Sequence, residues 1–120
     1  MKRRLRLRKG SDYQAVHRGG RFWRHPLLVL GALPNETGVT RCGVAVTKRL
    51  GRATRRNRAK RMIREAIRAR YDGIRPGWDL VFIAREGLAG MSYQPVALAV
   101  DQLLQRAGLL ADPAAAPTVQ

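Results

Sequence analysis

Residues 46–65 of the chain, VTKRLGRATRRNRAKRMIRE, join the end of a strand-like segment to the start of a long basic helix. From Ala59 to Tyr71, apolar side chains recur every three or four positions, which is the period of one face of an α-helix. The members of this face are Ala59, Met62, Ile63, Ala66, Ile67 and Tyr71. Gly73 and the Pro76-Gly77 pair then stop the pattern. The stretch predicts an amphipathic helix over residues 52–71 with its apolar face on a core.

The other face of this predicted helix is basic. At about 100° per residue, one arc collects the side chains of Asn57, Arg58, Lys60, Arg61, Arg64 and Arg68. Like charges four residues apart repel by roughly 0.2–0.5 kcal/mol per pair, a cost that a bound phosphate backbone would reverse. Arg52, Arg55 and Arg56 lie near the first turn, where free backbone N–H groups also favour anions. The helix is therefore predicted to bind nucleic acid.

The positive charge of the whole chain is concentrated in two segments. The 120 residues include 24 Lys or Arg and 8 Asp or Glu, for a net charge of +16. Residues 48–70 carry eleven bases and one acid, and residues 1–25 carry nine bases and one acid, so together they hold all of the excess. A charge that served only solubility would be diffuse. This distribution indicates a polyanion as partner, and nucleic acid first among polyanions.

Several classes of protein are excluded or disfavoured by composition. A single cysteine, Cys42, cannot form an internal disulfide, and no secretory signal follows the basic N-terminus, so we expect a cytoplasmic protein without membrane association. One cysteine and two histidines make a structural zinc site improbable. The eight acids are scattered, and no nucleophile motif or phosphate-binding glycine loop is present. We therefore expect a chain that holds no metal and is not itself the catalyst.

The remaining elements follow from shorter patterns. The small residues of 41–47 alternate with Cys42, Val44 and Val46, which predicts a strand whose second face admits a helix or ligand closely. Ser11 or Asp12 can cap a first helix that Gly19-Gly20 ends. The other predicted elements are strands over 27–33 and 78–84, a weak strand over 21–24, and a last helix from Ser92 to Gly108. These elements form a single domain over residues 10–108, between a flexible basic arm at 1–9 and a disordered tail at 109–120.

The run around the basic helix closely resembles the signature of the bacterial ribonuclease P protein component. The matching residues are Arg41, Gly43, Val46, Lys48, Gly51, Ala53, Arg56, Asn57, Arg58, Lys60, Arg61, Arg64 and Glu65. Thr47, Arg49 and Thr54 are mild departures from the serine, lysine and valine of that family. Residues 7–16, LRKGSDYQAV, also look like the family's first helix, in which an aromatic residue follows the aspartate.

The resemblance implies an α+β fold. Its elements run in the order αβββαβα, in a sandwich similar to the second domain of ribosomal protein S5. It also implies a left-handed crossover from the third strand through the basic helix to the fourth strand. General chirality rules favour a right-handed connection, so reasoning from physical rules alone would give the opposite hand.

The resemblance further implies a subunit of the ribonuclease P endoribonuclease that is not itself catalytic. In that family the RNA subunit, with Mg²⁺ held mainly by RNA, removes the 5′ leader from precursor tRNA, and no obligate protein partner is implied. By motif, the residues that would contact the RNA subunit are Arg52, Arg56, Asn57, Arg58, Lys60, Arg61, Arg64 and Arg68. Those that would line a cleft for the 5′ leader, between the first helix and the sheet, are Tyr13, His17, Thr47, Lys48 and Arg49.

Two other interpretations stay open from the residues alone. A ribosomal-protein-like structural module would share the basic helix and arm, but would not need the ordered run from Val46 to Glu65. A DNA-binding helix is the weaker alternative, because the apolar face of the helix must pack in the core and no helix-turn-helix partner is evident.

Overall fold

A computed structural model describes residues 3–110 of the chain. The helices are α1 (Gly10–Gly19), α2 (Ala53–Arg70) and α3 (Tyr93–Arg106). The strands are β1 (Arg21–Arg24), β2 (Leu28–Pro34), β3 (Arg41–Ala45) and β4 (Trp78–Ala84). Their sequence order, α1-β1-β2-β3-α2-β4-α3, confirms the predicted α+β arrangement αβββαβα, including the weak strand over 21–24.

The four strands form a mixed sheet with the spatial order β1-β2-β4-β3. β2 is antiparallel to both of its neighbours, whereas β3 and β4 are parallel. Parallel neighbours need a crossover connection, and α2 provides it. The left hand of this crossover and the likeness to the S5 domain stay predictions.

The two faces of the sheet bury different groups. α2 and α3 cover one face, where Leu30, Leu80 and Phe82 are fully buried in the larger core. α1 covers the other face, where Val16 packs with Val81 in a smaller apolar cluster. Each strand alternates between the two faces, so β4, with neighbours on both edges and helices on both faces, is buried over nearly its whole length.

The predicted face of α2 is confirmed, since all five of its apolar members inside the helix are buried. The predicted side-chain caps are wrong for α1: its N-cap is Lys9, because the helix already begins at Gly10. Ser92 does occupy the N-cap of α3, but its side chain makes no capping hydrogen bond. Gly108, beyond the end of α3, has the positive φ of +71° expected there.

The two ends of the domain differ from the expectation of a free arm and a free tail. Arg6 bridges to Cys42 in β3, and Leu7 is buried and donates its N–H to the Cys42 carbonyl at 3.0 Å. Leu109 is buried, and Leu110 bridges to Ile74. A lone Leu7 between arginines and a pair of leucines after Gly108 give only a weak sequence pattern, but Leu7 and Leu109 are buried on the folded domain. Residues 1–2 and 111–120 of the predicted arm and tail lie outside the described residues.

The buried carboxylate of Asp79 in β4 forms hydrogen bonds to β3 and to the residue that follows β2. Asp79, at the start of β4, is 6% exposed. It accepts two hydrogen bonds from Arg41, at 3.0 Å from Nε and 2.7 Å from Nη2, and one from Asn35 Nδ2 at 2.8 Å. These hydrogen bonds to Asp79 raise the pKa of Arg41 and outweigh the opposing effect of burial. The bidentate pair therefore fixes β3 against β4 at this end of the sheet.

Replacing Arg41 by leucine is expected to lower the free energy of unfolding by about 2 kcal/mol, because the Asp79 carboxylate would stay buried with only Asn35 as partner. Urea unfolding measures this loss. Arg49→Leu is the matched control: its ion pair to Glu86 joins side chains that are 80% and 65% exposed, so a change below about 0.5 kcal/mol is expected. Equal losses in the two variants would contradict the structural role of the Arg41–Asp79 pair.

Candidate nucleic-acid interface

The predicted basic residues lie along the solvent side of α2. Because the apolar face is buried against α3 and the sheet, the opposite side must point outward. The exposed members of the predicted set are Arg52, Asn57, Arg58, Arg61 and Arg68. The half-buried members are Arg56, Lys60 and Arg64. The helix thus brings the predicted set together on one surface, named here the α2 basic face.

The charges of the α2 basic face are not equally available. Arg68 already contacts Glu65, with hydrogen bonds of 2.6–2.9 Å from Nε and Nη2 to the carboxylate. Arg58 donates to the Met91 carbonyl at 3.0 Å. Within residues 3–110, neither the exposed Arg61 nor the half-buried Arg64 makes an ion pair or a hydrogen bond through its side chain, and the same holds for Arg52, Arg56 and Lys60. Arg61 and Arg64 are the two of these that also line a groove along the helix, so they are the first candidates for contacts to phosphate.

The α2 basic face extends beyond α2 itself. A shallow groove of about 520 Å³ runs along the helix and is lined by residues from three parts of the chain: Arg6, Arg61, Met62, Arg64, Glu65, Arg68 and Tyr93. Docking of Leu7 beside β3 is what brings Arg6 to this groove. The prediction of a free arm left Arg6 out of this surface, because its bridge partner, Cys42, lies 36 positions away in the sequence.

A second concave surface lies between α1 and the sheet. This α1 cleft has a volume of about 430 Å³, and most of its lining is apolar or aromatic: Tyr13, Gln14, Val16, His17, Arg18, Phe22, Ala45, Val81 and Ile83. Tyr13 is half-buried, and its hydroxyl donates to the Leu7 carbonyl at 3.3 Å. His17 is exposed at the rim. Both residues lie where the sequence analysis expected a cleft.

Thr47, Lys48 and Arg49, by contrast, do not line the α1 cleft. β3 ends at Ala45, the last cleft residue on that strand, and the chain then enters a short 3₁₀ turn. That turn is anchored by the buried Leu50, which leaves the three polar side chains exposed. They connect Ala45 of the cleft to the first turn of α2, and they line neither the cleft nor the groove along that helix.

Phe22 is the cleft residue that sequence reasoning missed. It lies in β1, next to Trp23, and alternation along the strand sends the two rings to opposite faces of the sheet. Trp23 packs against the larger core, whereas Phe22 lines the α1 cleft. The only available signal was this alternation in a four-residue strand, and it could not say which face carries the cleft.

The groups that could do acid–base or nucleophilic chemistry are few among residues 3–110. No group of three or more His, Cys, Asp or Glu there could hold a metal ion. Cys42 is buried, and burial raises the pKa of its thiol to about 12, so it stays protonated at neutral pH. Both ring nitrogens of His25 are engaged, with the Leu27 N–H and the Gln102 side chain. No helix in the same range is long and apolar enough to cross a membrane.

A sequence pI of about 11.7 together with basic side chains clustered along one helix is typical of proteins that bind nucleic acid. The family model described as ribonuclease P matches residues 1–108. The ribonuclease P protein component of Herpetosiphon aurantiacus is 49% identical over 112 residues, which cover 93% of this chain and 91% of that protein. That of Roseiflexus castenholzii is 50% identical over 111 residues, covering 92% and 91%.

Solved structures agree with these sequence relatives. The RNase P protein of Staphylococcus aureus matches with a TM-score of 0.83 at 28% identity, over 88% of this chain and 97% of that one. The RNase P protein of Thermotoga maritima matches with a TM-score of 0.78 at 30% identity, over 84% and 96%. The chain therefore belongs to the bacterial ribonuclease P protein family, which confirms the resemblance carried by the run around α2.

The buried state of Cys42 leads to a prediction about its reactivity. With a pKa of about 12 instead of 9.0, its thiolate fraction at pH 8 is lower by about a thousandfold. A thiol reagent should therefore modify the native protein far more slowly than the protein in denaturant, as followed by mass spectrometry. Because the pKa is raised in the folded state, the contribution of Cys42 to stability is present below pH 9 and is lost as the pH rises toward 12. Equal rates in native and denatured protein would contradict the burial.

Proposed function

We propose that this chain is the protein subunit of a cytoplasmic ribonuclease P ribonucleoprotein that removes the 5′ leader from precursor tRNA. In this proposal the α2 basic face binds the RNA subunit, and the α1 cleft takes the unpaired 5′ leader. One observation carries the proposal: the short segment from Thr47 to Arg49 connects Ala45, which lines the apolar α1 cleft, to Arg52, where the α2 basic face begins. A protein with both can hold a structured RNA and a single strand at once.

The α2 basic face suits the backbone of a folded RNA. Arg61 and Arg64 project unpaired guanidinium groups one turn apart, and a guanidinium fork matches two phosphate oxygens. Releasing counterions from the RNA then supplies much of the binding free energy. Bound phosphates also reduce the mutual repulsion of the basic side chains along α2, so RNA binding would stabilise the helix.

The α1 cleft suits unpaired nucleotides. Proteins recognise single-stranded RNA largely by stacking its bases on aromatic rings, and such contacts tolerate many sequences. Tyr13, His17 and Phe22 supply three rings around an apolar floor. Arg18 lies at the same cleft and can meet the phosphates. Leaders differ in sequence from one precursor to another, so a tolerant mode of recognition is the one this substrate requires.

In this proposal the chemistry belongs to the RNA subunit and to Mg²⁺ held mainly by RNA. The acids among residues 3–110 form no cluster that fits a protein-borne metal site. What the chain supplies is positive charge and orientation. Cations of the α2 basic face lower the repulsion between the phosphates of the two RNAs, so less added Mg²⁺ would be needed to bring them together.

Reconstitution tests the proposal directly. Adding the protein to a bacterial ribonuclease P RNA should speed 5′ cleavage of precursor tRNA at low Mg²⁺, as measured by single-turnover kinetics. The protein should also tighten binding of precursor tRNA more than binding of mature tRNA, which has no leader. RNA binding without any gain in cleavage would instead favour a purely structural RNA-binding module, and no leader preference would reject the cleft assignment.

Charge reversal tests the α2 basic face. The double change Arg61→Glu and Arg64→Glu should weaken assembly with the RNA subunit by at least about tenfold at physiological salt, and should reduce the slope of log affinity against log salt by about 2. Titration at several salt concentrations measures both quantities. The control is Arg106→Glu, a reversal at the end of α3, where Arg106 donates to the Arg24 carbonyl. An unchanged slope in the double variant would reject α2 as the RNA-subunit surface.

A further inference from the structure

The floor of the α1 cleft contains one row of residues aligned across all four strands. Phe22 in β1 is the register partner of Gly31 in β2, Gly31 pairs with Val81 in β4, and Val81 pairs with Gly43 in β3. The row therefore holds two glycines, one on each side of Val81. Glycine weakens a strand interior and often marks a close approach by another group, so both positions call for an explanation.

An aromatic ring lies over each of these glycines. A Cβ atom added to Gly43 would be 2.5 Å from the Tyr13 hydroxyl oxygen and 2.7 Å from Cζ. A Cβ added to Gly31 would be 2.7 Å from Cε2 of Phe22 and 3.1 Å from Cζ. Real side-chain contacts are not this short, so each ring occupies space that only glycine leaves free. The two glycines thus leave room for one aromatic ring on each side of Val81.

The two rings differ in what holds and covers them. Tyr13 is half-buried and anchored through its hydroxyl to Leu7. Phe22 is 38% exposed, one of the few large apolar side chains so exposed among residues 4–110. The Phe22 and His17 rings form a T-shaped pair, with a centroid distance of 6.0 Å and an interplanar angle of 77°. Phe22 is therefore a positioned ring that the described part of the chain leaves uncovered.

We infer that Phe22 is a base-stacking residue of the α1 cleft, holding one unpaired nucleotide of the leader beside His17. The inference rests on the proposed function and adds a specific residue and contact to it. An exposed ring that is already held in one position loses little conformational entropy when a base stacks on it. The charge around it favours a nucleic acid over a neutral apolar ligand, because Arg18 lines the same cleft and residues 1–25 carry a net charge of +8.

The test uses the reconstituted holoenzyme and compares the affinity for precursor tRNA with that for mature tRNA. Phe22→Ala should reduce the leader-dependent gain by about tenfold, within the range known for the loss of one base–aromatic stack, whereas Phe22→Tyr should retain it. Leu98→Ala removes another exposed apolar side chain, on α3 and 56% exposed, and should change nothing. Precursors with a single abasic leader position should identify one position that matters to the wild type but not to Phe22→Ala.

A substitution at Gly31 provides a second, independent test of the inference. Gly31→Ala should displace the Phe22 ring and reproduce the loss seen for Phe22→Ala, but should add little to the loss of leader preference in the Phe22→Ala background, where the close neighbour left to the new Cβ is Val16 Cγ1 at 3.1 Å. If Gly31→Ala does not fold, the two Phe22 variants and the abasic series still decide. A full leader preference in Phe22→Ala, alongside a loss in Tyr13→Leu, would overturn the inference and leave the proposed function standing. No leader preference in the wild type would reject the leader proposal itself.

Discussion

The burial of β4 on both faces is the constraint on which the rest of the structure depends. A strand covered on two faces and paired on two edges must be apolar almost throughout, as WDLVFIA is from Trp78 to Ala84. Its even-numbered residues, Leu80 and Phe82, fill the core under α2 and α3, while Val81 and Ile83 form the floor of the α1 cleft. One strand therefore sets both the stability of the domain and the base of the candidate leader site.

The same strand positions α2. Because β3 runs parallel to β4 at the edge of the sheet, the chain has to cross a face between them, and α2 is that crossover. The apolar face of α2 packs in the larger core, so the charged face of the helix points to solvent. The basic surface is thus a consequence of topology as well as of composition. The Asp79–Arg41 pair stabilises the arrangement at the end of the sheet where β3 begins.

Local periodicity was enough to predict the elements that carry a long pattern. The apolar face of α2 and the bounds of β4 follow from the spacing of residues close in sequence, and both are confirmed. What could not be predicted depends on contacts between distant positions. Leu7 is buried beside β3, and Phe22 can lie close to the sheet because its register partner in the neighbouring strand is Gly31. Likewise, nothing in the order of residues shows that β3 ends at Ala45, before Thr47 can reach the cleft.

The two glycines of the central row show how the sheet can serve a binding site at some cost to itself. Gly31, in an interior strand, and Gly43, in an edge strand, forgo the side-chain packing that a β-branched residue would contribute. In return the rings of Phe22 and Tyr13 approach the backbone closely, and each ring has one further partner, His17 for Phe22 and the Leu7 carbonyl for Tyr13. The Phe22 ring is held in position over Gly31 and still remains 38% exposed, so part of it is available to a ligand. This is the property that a tolerant site for single-stranded RNA requires, and it arises here from the absence of two Cβ atoms.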